Sequence, residues 1–544
     1  MALAVAGCSS TTSAPPQAAP DQAPSVVPGG SAIVASDTEP TGFNNRTARG
    51  NTTAVRTVMR RVWPTVWTVT PNFENQLETD FVLSAESSGR DVVPQTIVYR
   101  INPAAIWSDG TSMSADDFIY NWEVGKAGAV DVDGKPISSV APGENAIQSI
   151  TGSPDGDTVS VVLRQPMAEW KSLFTKPIVP AHVAKRVGWN TGFDNPANVV
   201  SGGPFKIAGY NPGRDLTLAR NEQFWGKPAT LDSVTFNFVK DSAAAVTALR
   251  SGEVHVIAPR AQVDLLDQLQ NRDGITVVAS TGFEAEFLDF NLRNEFLADQ
   301  RVRQAFALAL DRTAIVARSA RQINKDAAVM QHRLLPAEYP GYADTSANRY
   351  TGRDVPQAKR LLEAAGFTMG ADGYYEKGPA KKLELRITAA TGDALRAAQE
   401  ELIQSQVKDA GIMLRIDNAP SDNTAGGLST RLQSGDFDVA NLSQGMATSP
   451  TTTSASFTTT GTVNISKYSN TTVDRLYQEA ASELDDKRRT DLLNQIDRQL
   501  WEDMPRLPLY QRPTVVAFQS SLANVGINPV SGPFWNIDQW GRKA

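Results

Sequence analysis

From about Ser31 to the C-terminus, short strands of alternating apolar residues are interleaved with amphipathic helical patterns. Nothing recurs with a period of roughly 20–50 residues, which excludes solenoids and propellers. Interleaving of this kind leaves α/β lobes as the fold class. The segments TIVYRI (96–101), DTVSVVLR (157–164) and LDSVTFNFV (231–239) have strand period, while SADDFIYNWEV (114–124), SAAAVTALRSG (242–252), PQAKRLLEAAGF (356–367) and 393–410 have helical spacing. Residues 299–320 read as one helix, and 472–503 as one long helical region. At 544 residues, the chain has room for three or four domains of about 150 residues each.

Charge and cysteine usage narrow the function. With 52 Lys+Arg against 59 Asp+Glu, the net charge of −7 and the absence of a basic run argue against a nucleic-acid partner. No apolar run reaches the ~18 residues that a membrane-spanning helix needs. Cys8 is the one cysteine, so neither an internal disulfide nor a cysteine zinc cluster can form. His182, His255 and His332 lie far apart, and no metal or other cofactor is expected. The G-x-S-x-G elbow, the phosphate loop and H-E-x-x-H are all missing, and no carboxylate pair stands out. The chain reads as a non-enzyme, with a two-carboxylate hydrolase as the distant alternative.

The N-terminus is of a different kind. Val5-Ala6-Gly7-Cys8 resembles a bacterial lipobox, in which the cysteine sulfur carries lipid, and a Ser/Thr/Pro/Ala-rich tract follows. Residues 1–8 are therefore expected to be the remnant of a signal with a lipidated Cys8, and 9–30 a flexible tether. An incidental cysteine in a tail is the alternative.

Two segments are specific. In WSDGTSMSADDFIYNW (107–122), Asp109-Gly110 makes a turn, and Ser114 with Asp117 has capping-box spacing. In 201–236, a hairpin runs into Phe224-Trp225. Followed in order by ALRSGEVHVI (248–257), DFNLRNEFLADQRVRQAFALALDR (289–312), PQAKRLLEAAGF, RLQSGDFDVANL (431–442) and WEDMPRLPLYQRPTVVA (501–517), they resemble the bacterial extracellular solute-binding proteins of family 5. These are receptors of peptide and nickel ABC importers, and the likeness extends to actinobacterial and mycobacterial oligopeptide-binding lipoproteins.

The resemblance implies an α/β periplasmic-binding-protein-like (Venus-flytrap) fold of type II, cluster C-like, with two lobes and an extra inserted domain. Lobe I would use 31–60, 202–288 and 512–544, the inserted domain 61–201, and lobe II 289–511. It also implies a monomer on the outer face of the cell membrane that captures an oligopeptide or related small solute by lobe closure. Delivery would be to a cognate ABC permease. The alternative on the same fold is an envelope assembly factor that holds a glycolipid.

The sequence departs from the family where peptide binders carry an acid and a tryptophan. The corresponding stretch, 441–450, has neither; Asp438 belongs to the strand pattern before it, and His255 replaces an aspartate read as structural. Recognition is therefore expected to use neutral hydrogen bonds and aromatic contacts. The candidate ligand-binding residues are Gln444, Met446, Thr448 and Ser449, faced by Trp63 and Trp67. For the hydroxyl-rich 448–462 a solvated loop, and for the tryptophans core packing, are the bland alternatives.

Overall fold

The computed structural model describes residues 26–89, 92–137, 144–259, 261–270, 272–378 and 381–544. Cys8 and most of the expected tether lie outside them.

A ten-stranded mixed sheet runs through both lobes. Its order is Met413–Ile416, Glu384–Thr388, Val439–Gly445, Ile275–Phe290, Arg506–Gln519, Val256–Ile257, Ser31–Ser36, Ser233–Phe238, Asp215–Arg220 and Phe205–Asn211. By the expected boundaries the first three strands fall in lobe II and the last five in lobe I, with the two long strands between them. The long strands pair antiparallel from Ile275–Gln519 to Thr281–Pro513, lapse, and resume from Ala285–Gln511 to Asp289–Arg506. Gly282 sits in the lapse, where a Cβ would come within 2.5 Å of Thr514 Oγ1 and 2.6 Å of Arg512 O. Pro513, which has no N–H to pair, borders the same break. The expected lobe boundaries at 288/289 and 511/512 fall within these two strands.

A separate four-stranded antiparallel sheet, ordered Val82–Ser87, Thr96–Ile101, Thr158–Leu163 and Ile147–Gly152, lies within 61–201, the residues expected to form the inserted domain. Alternate residues Ile97, Tyr99 and Ile101 are buried, which the period-two pattern requires. Helix Ala115–Glu123 packs on this sheet and begins with the expected capping box: Asp117 Oδ2 accepts from Ser114 N at 3.1 Å. Val26–Val27 pairs antiparallel with Gly541–Lys543.

Two expected helices are each broken in two. Residues 299–320 form Gln300–Ala309 and Arg312–Ser319, with Leu310 extended between them. The carboxylate of Asp311 accepts from Ala314 N at 2.9 Å and starts a new helix where periodicity alone would continue the old one. Likewise 472–503 divides into Thr471–Ser482 and Asp486–Asp503, with Asp485 accepting from Arg488 N at 2.8 Å. In both cases a mid-pattern aspartate prefers the N-cap to the helix interior.

Candidate functional site

A hairpin of the inserted domain, Trp67–Val69 paired with Asn75–Leu77, reaches across to lobe II. Its turn is closed by Thr70 N–H donating to Glu74 O at 2.9 Å and Phe73 N–H to Thr70 O at 3.0 Å. Phe73 has φ of 62°, an uncommon conformation for a bulky residue. Its ring packs into a cluster with Ala285 and Phe287 of a crossing strand and Met330 and Met446 of lobe II. Burial of that ring offsets the backbone strain, so the turn is held by what it touches across the cleft.

A second bridge lies nearby. Ala168 N–H donates to Ala481 O at 2.9 Å, joining the inserted domain to lobe II through backbone. Thr451 N–H donates to Glu169 Oε1 at 3.2 Å, and the Thr451 hydroxyl donates to Oε2. Burial pushes the Glu169 carboxyl above its ordinary range, against the pull of the Thr451 hydrogen bonds and of Arg489. Together with Phe73, these contacts form a clasp between the two sides.

The clasp borders a cavity of about 680 Å³ walled from both sides. The inserted domain contributes Phe73, Glu74, Trp170 and Lys171, and lobe II contributes Tyr339, Thr448, Ser449 and Arg489. Arg489 is positioned by Asp486 at 2.6 Å and by Glu483 O at 3.1 Å. Burial pushes the Tyr339 phenol up to about 12, helped by the Glu169 charge, so it stays a neutral donor. Two smaller cavities, of about 250 and 150 Å³, are lined by the stem of the same hairpin and by lobe I.

The structure brings only some of the expected residues to the large cavity. Thr448 and Ser449 line it. Gln444 is exposed on its strand, and its Oε1 accepts from Arg506 Nη1 at 2.8 Å. Met446, 3% exposed, is packed in the Phe73 cluster. Trp63 is fully buried, with its indole N–H on Val200 O at 3.0 Å and its ring edge-to-face with Phe193. Trp67, 5% exposed, packs edge-to-face on Trp170 at 5.6 Å and borders the 150 Å³ cavity. The 448–462 hydroxyls serve mainly local turns: Thr452, Thr453 and Thr458 donate to the carbonyls of Ser449, Pro450 and Ser454.

Charged side chains line the cavity as well as the neutral ones of 448–449. Glu169, Lys171, Asp486 and Arg489 come from two segments more than 300 residues apart, and no local motif marks either. Another group did leave a trace: Arg56 and Arg60 are spaced i, i+4 at the end of helix Thr53–Met59, a like-charge pair that a free helix disfavours.

Two lobes joined by a pair of crossing strands, with a cavity walled from both sides, are the architecture of a two-lobed solute receptor. The chain belongs to the bacterial extracellular solute-binding proteins, family 5, whose sequence profile matches residues 84–466. It is 27% identical over 499 residues to the oligopeptide-binding protein OppA of Mycobacterium tuberculosis, covering 90% of this chain and 80% of that protein. It is also 27% identical over 365 residues to the probable monoacyl phosphatidylinositol tetramannoside-binding protein LpqW of the same species, covering 64% and 53%. Among solved structures, the periplasmic EDTA-binding protein EppA superposes with a TM-score of 0.85 at 26% identity, covering 96% of this chain and 98% of that one.

Proposed function

We propose that this chain is the solute-capturing lipoprotein of an ABC importer, taking an oligopeptide or related small solute by lobe closure and handing it to its permease. The observation that carries the reading is the 680 Å³ cavity, whose walls come from two bodies joined through the Gly282 break. A ligand that touches both walls has more contacts in the closed form than in the open one, and that difference in affinity drives closure. Thr448 and Ser449 contact the solute from lobe II, with Trp67 beside it. The peptide-binding name of OppA supports the substrate class. The lobes divide as 31–60 with 202–288 and 512–544, 61–201, and 289–511, and Cys8 carries the lipid that holds the protein on the outer face of the membrane. The protein works as a monomer and catalyses no reaction.

Small-angle scattering of the purified protein tests closure: a peptide digest of the host's growth medium should reduce the radius of gyration and raise Tm together. No change in either would refute capture by closure. For the anchor, Cys8→Ala in the full precursor should move the protein from the membrane fraction to the soluble fraction. LpqW's name favours the glycolipid alternative, but the match covers only about half of that protein.

A further inference from the structure

The 150 Å³ cavity at the hairpin stem differs from the large one in charge. Arg56, Arg60, Arg61 and Lys176 line it, with no carboxylate among its described lining residues. Its other walls are rich in neutral donors, among them Asn45, Asn51 and Ser531. Trp67 forms one wall and packs edge-to-face, at 5.6 Å, on Trp170, which lines the large cavity.

The four cations are not equivalent. Arg61 is neutralised by Asp538 at 2.8 Å and donates to Trp535 O through Nε and Nη2. Arg56 is held by neutral groups, the Asn51 side chain at 3.0 Å and the Thr53 hydroxyl at 3.1 Å. Lys176 stands in the field of Arg46 and Arg56, with Glu144 opposing them. Arg60 has no side-chain hydrogen bond or ion pair among the described residues, and the charges that act on it are those of Arg61 and Arg56. Burial, then those two neighbours, push its guanidinium down to about 10, which leaves it charged at neutral pH. A partly buried cation with like-charged neighbours and no counter-ion destabilises the empty protein.

We propose that this basin seats a carboxylate of the captured solute, with Arg60 as its principal partner and Arg56 and Lys176 supplying the surrounding positive field. A planar guanidinium matches a carboxylate through two parallel hydrogen bonds, and desolvation in a small cavity strengthens them. The basin is too small for a peptide side by side with its neighbours, but it accommodates one anionic end while the rest extends past Trp67. The solutes selected are therefore those with at least one extended carboxylate, acidic peptides and polycarboxylates before neutral or basic ones. The proposal rests on the receptor reading above and narrows it.

The test is isothermal titration of the purified protein with triglutamate, citrate, inorganic phosphate, trialanine and trilysine, in wild type and in Arg60→Met and Arg60→Lys. Triglutamate or citrate should bind, at least tenfold more tightly than trialanine or trilysine, and Arg60→Met should remove at least tenfold of that affinity. Arg60→Lys should recover part of it, because charge is kept and the fork is lost. Arg60→Met should also raise the Tm of the empty protein, which shows that the variant folds and that the site is strained for binding. Phosphate binding that exceeds both carboxylates would overturn the carboxylate assignment. Trialanine binding as tightly as triglutamate, unchanged anion affinity in Arg60→Met, or no binding of either carboxylate would each overturn the proposal. The receptor reading fails by a separate measurement, the absence of closure with medium digest.

Discussion

Arginine occupies two different settings in this molecule. In the interior of lobe II, Arg312 donates to Tyr350 O at 2.6 Å, Met330 O at 2.7 Å, Pro508 O at 2.8 Å and Gln331 Oε1 at 3.0 Å. Beside it, Arg333 donates to Arg506 O at 2.7 Å, pairs with Asp497 at 3.3 Å and lies 3.9 Å from the Trp501 ring centroid. Those guanidiniums are fully enclosed and well partnered. Arg60 lines two cavities, the basin and the 250 Å³ space that Glu78, Asp80 and Asp538 also line, and the charges that act on it most are those of Arg61 and Arg56. A partnered buried charge holds its surroundings together; an unpartnered one beside an empty space is held in readiness for something that comes from outside.

That contrast can be broken first at Arg333. Arg333→Met leaves Asp497 buried with only His332, Thr345 and a backbone N–H near it. Loss of one member of such a buried pair should remove about 3–5 kcal/mol of stability, read by urea unfolding. Arg60→Met should go the other way, raising the Tm of the empty protein by about 2 °C. A fall comparable to that of Arg333→Met would erase the distinction between the two settings.

The clasp sharpens the comparison at smaller scale. Thr451→Val removes the hydroxyl bond to Glu169 while keeping shape, so closure should weaken by about 1 kcal/mol, seen as a roughly fivefold loss of solute affinity. Global stability should change little, because each lobe keeps its own core. The smallest effect is that of pH. Burial raises the Glu169 carboxyl, so the closed form holds its proton better than an opened, solvated form. The resulting support for closure is complete below the ordinary glutamate pKa, declines as pH rises through the raised value and is absent above it. Solute affinity in a Lys171→Met background should therefore drift upward on mild acidification, and Glu169→Gln should abolish the drift.

Much of the fold was legible because it is written locally and in order. The capping box at Ser114–Asp117, the hairpin before Phe224-Trp225 and the period of TIVYRI all form where their residue patterns require. The helix breaks at Asp311 and Asp485 were missed because an aspartate within an apolar rhythm looks like a solvated position until its carboxylate is seen capping the next turn. The site was less legible. An indole in VWPTVW carries no sign of whether it faces a cleft or, as with Trp63, a neighbouring backbone carbonyl. Glu169 and Arg489 come to one cavity only through the tertiary fold, and nothing near either in the chain foretells the other. The arginines of RTVMRR did carry a signal, since like charges one helical turn apart call for a reason.

The pairing of Val26–Val27 with Gly541–Lys543, and the passage of both long strands between lobes, also set an order of manufacture. In the proposed division lobe II is one uninterrupted stretch, 289–511, and Asp289 at its start faces Arg506 near its end in the ladder. In the same division lobe I is drawn from segments far apart in the chain, and its sheet lacks Ala517 and Phe518, the partners of Ile257 and Val256, until synthesis has passed lobe II. Synthesis runs from the N-terminus, yet the lobe begun first is the one completed last. Until Ala517 and Phe518 have been made, the Val256–Ile257 strand has a neighbour on one side only, and the first lobe's sheet cannot close over it.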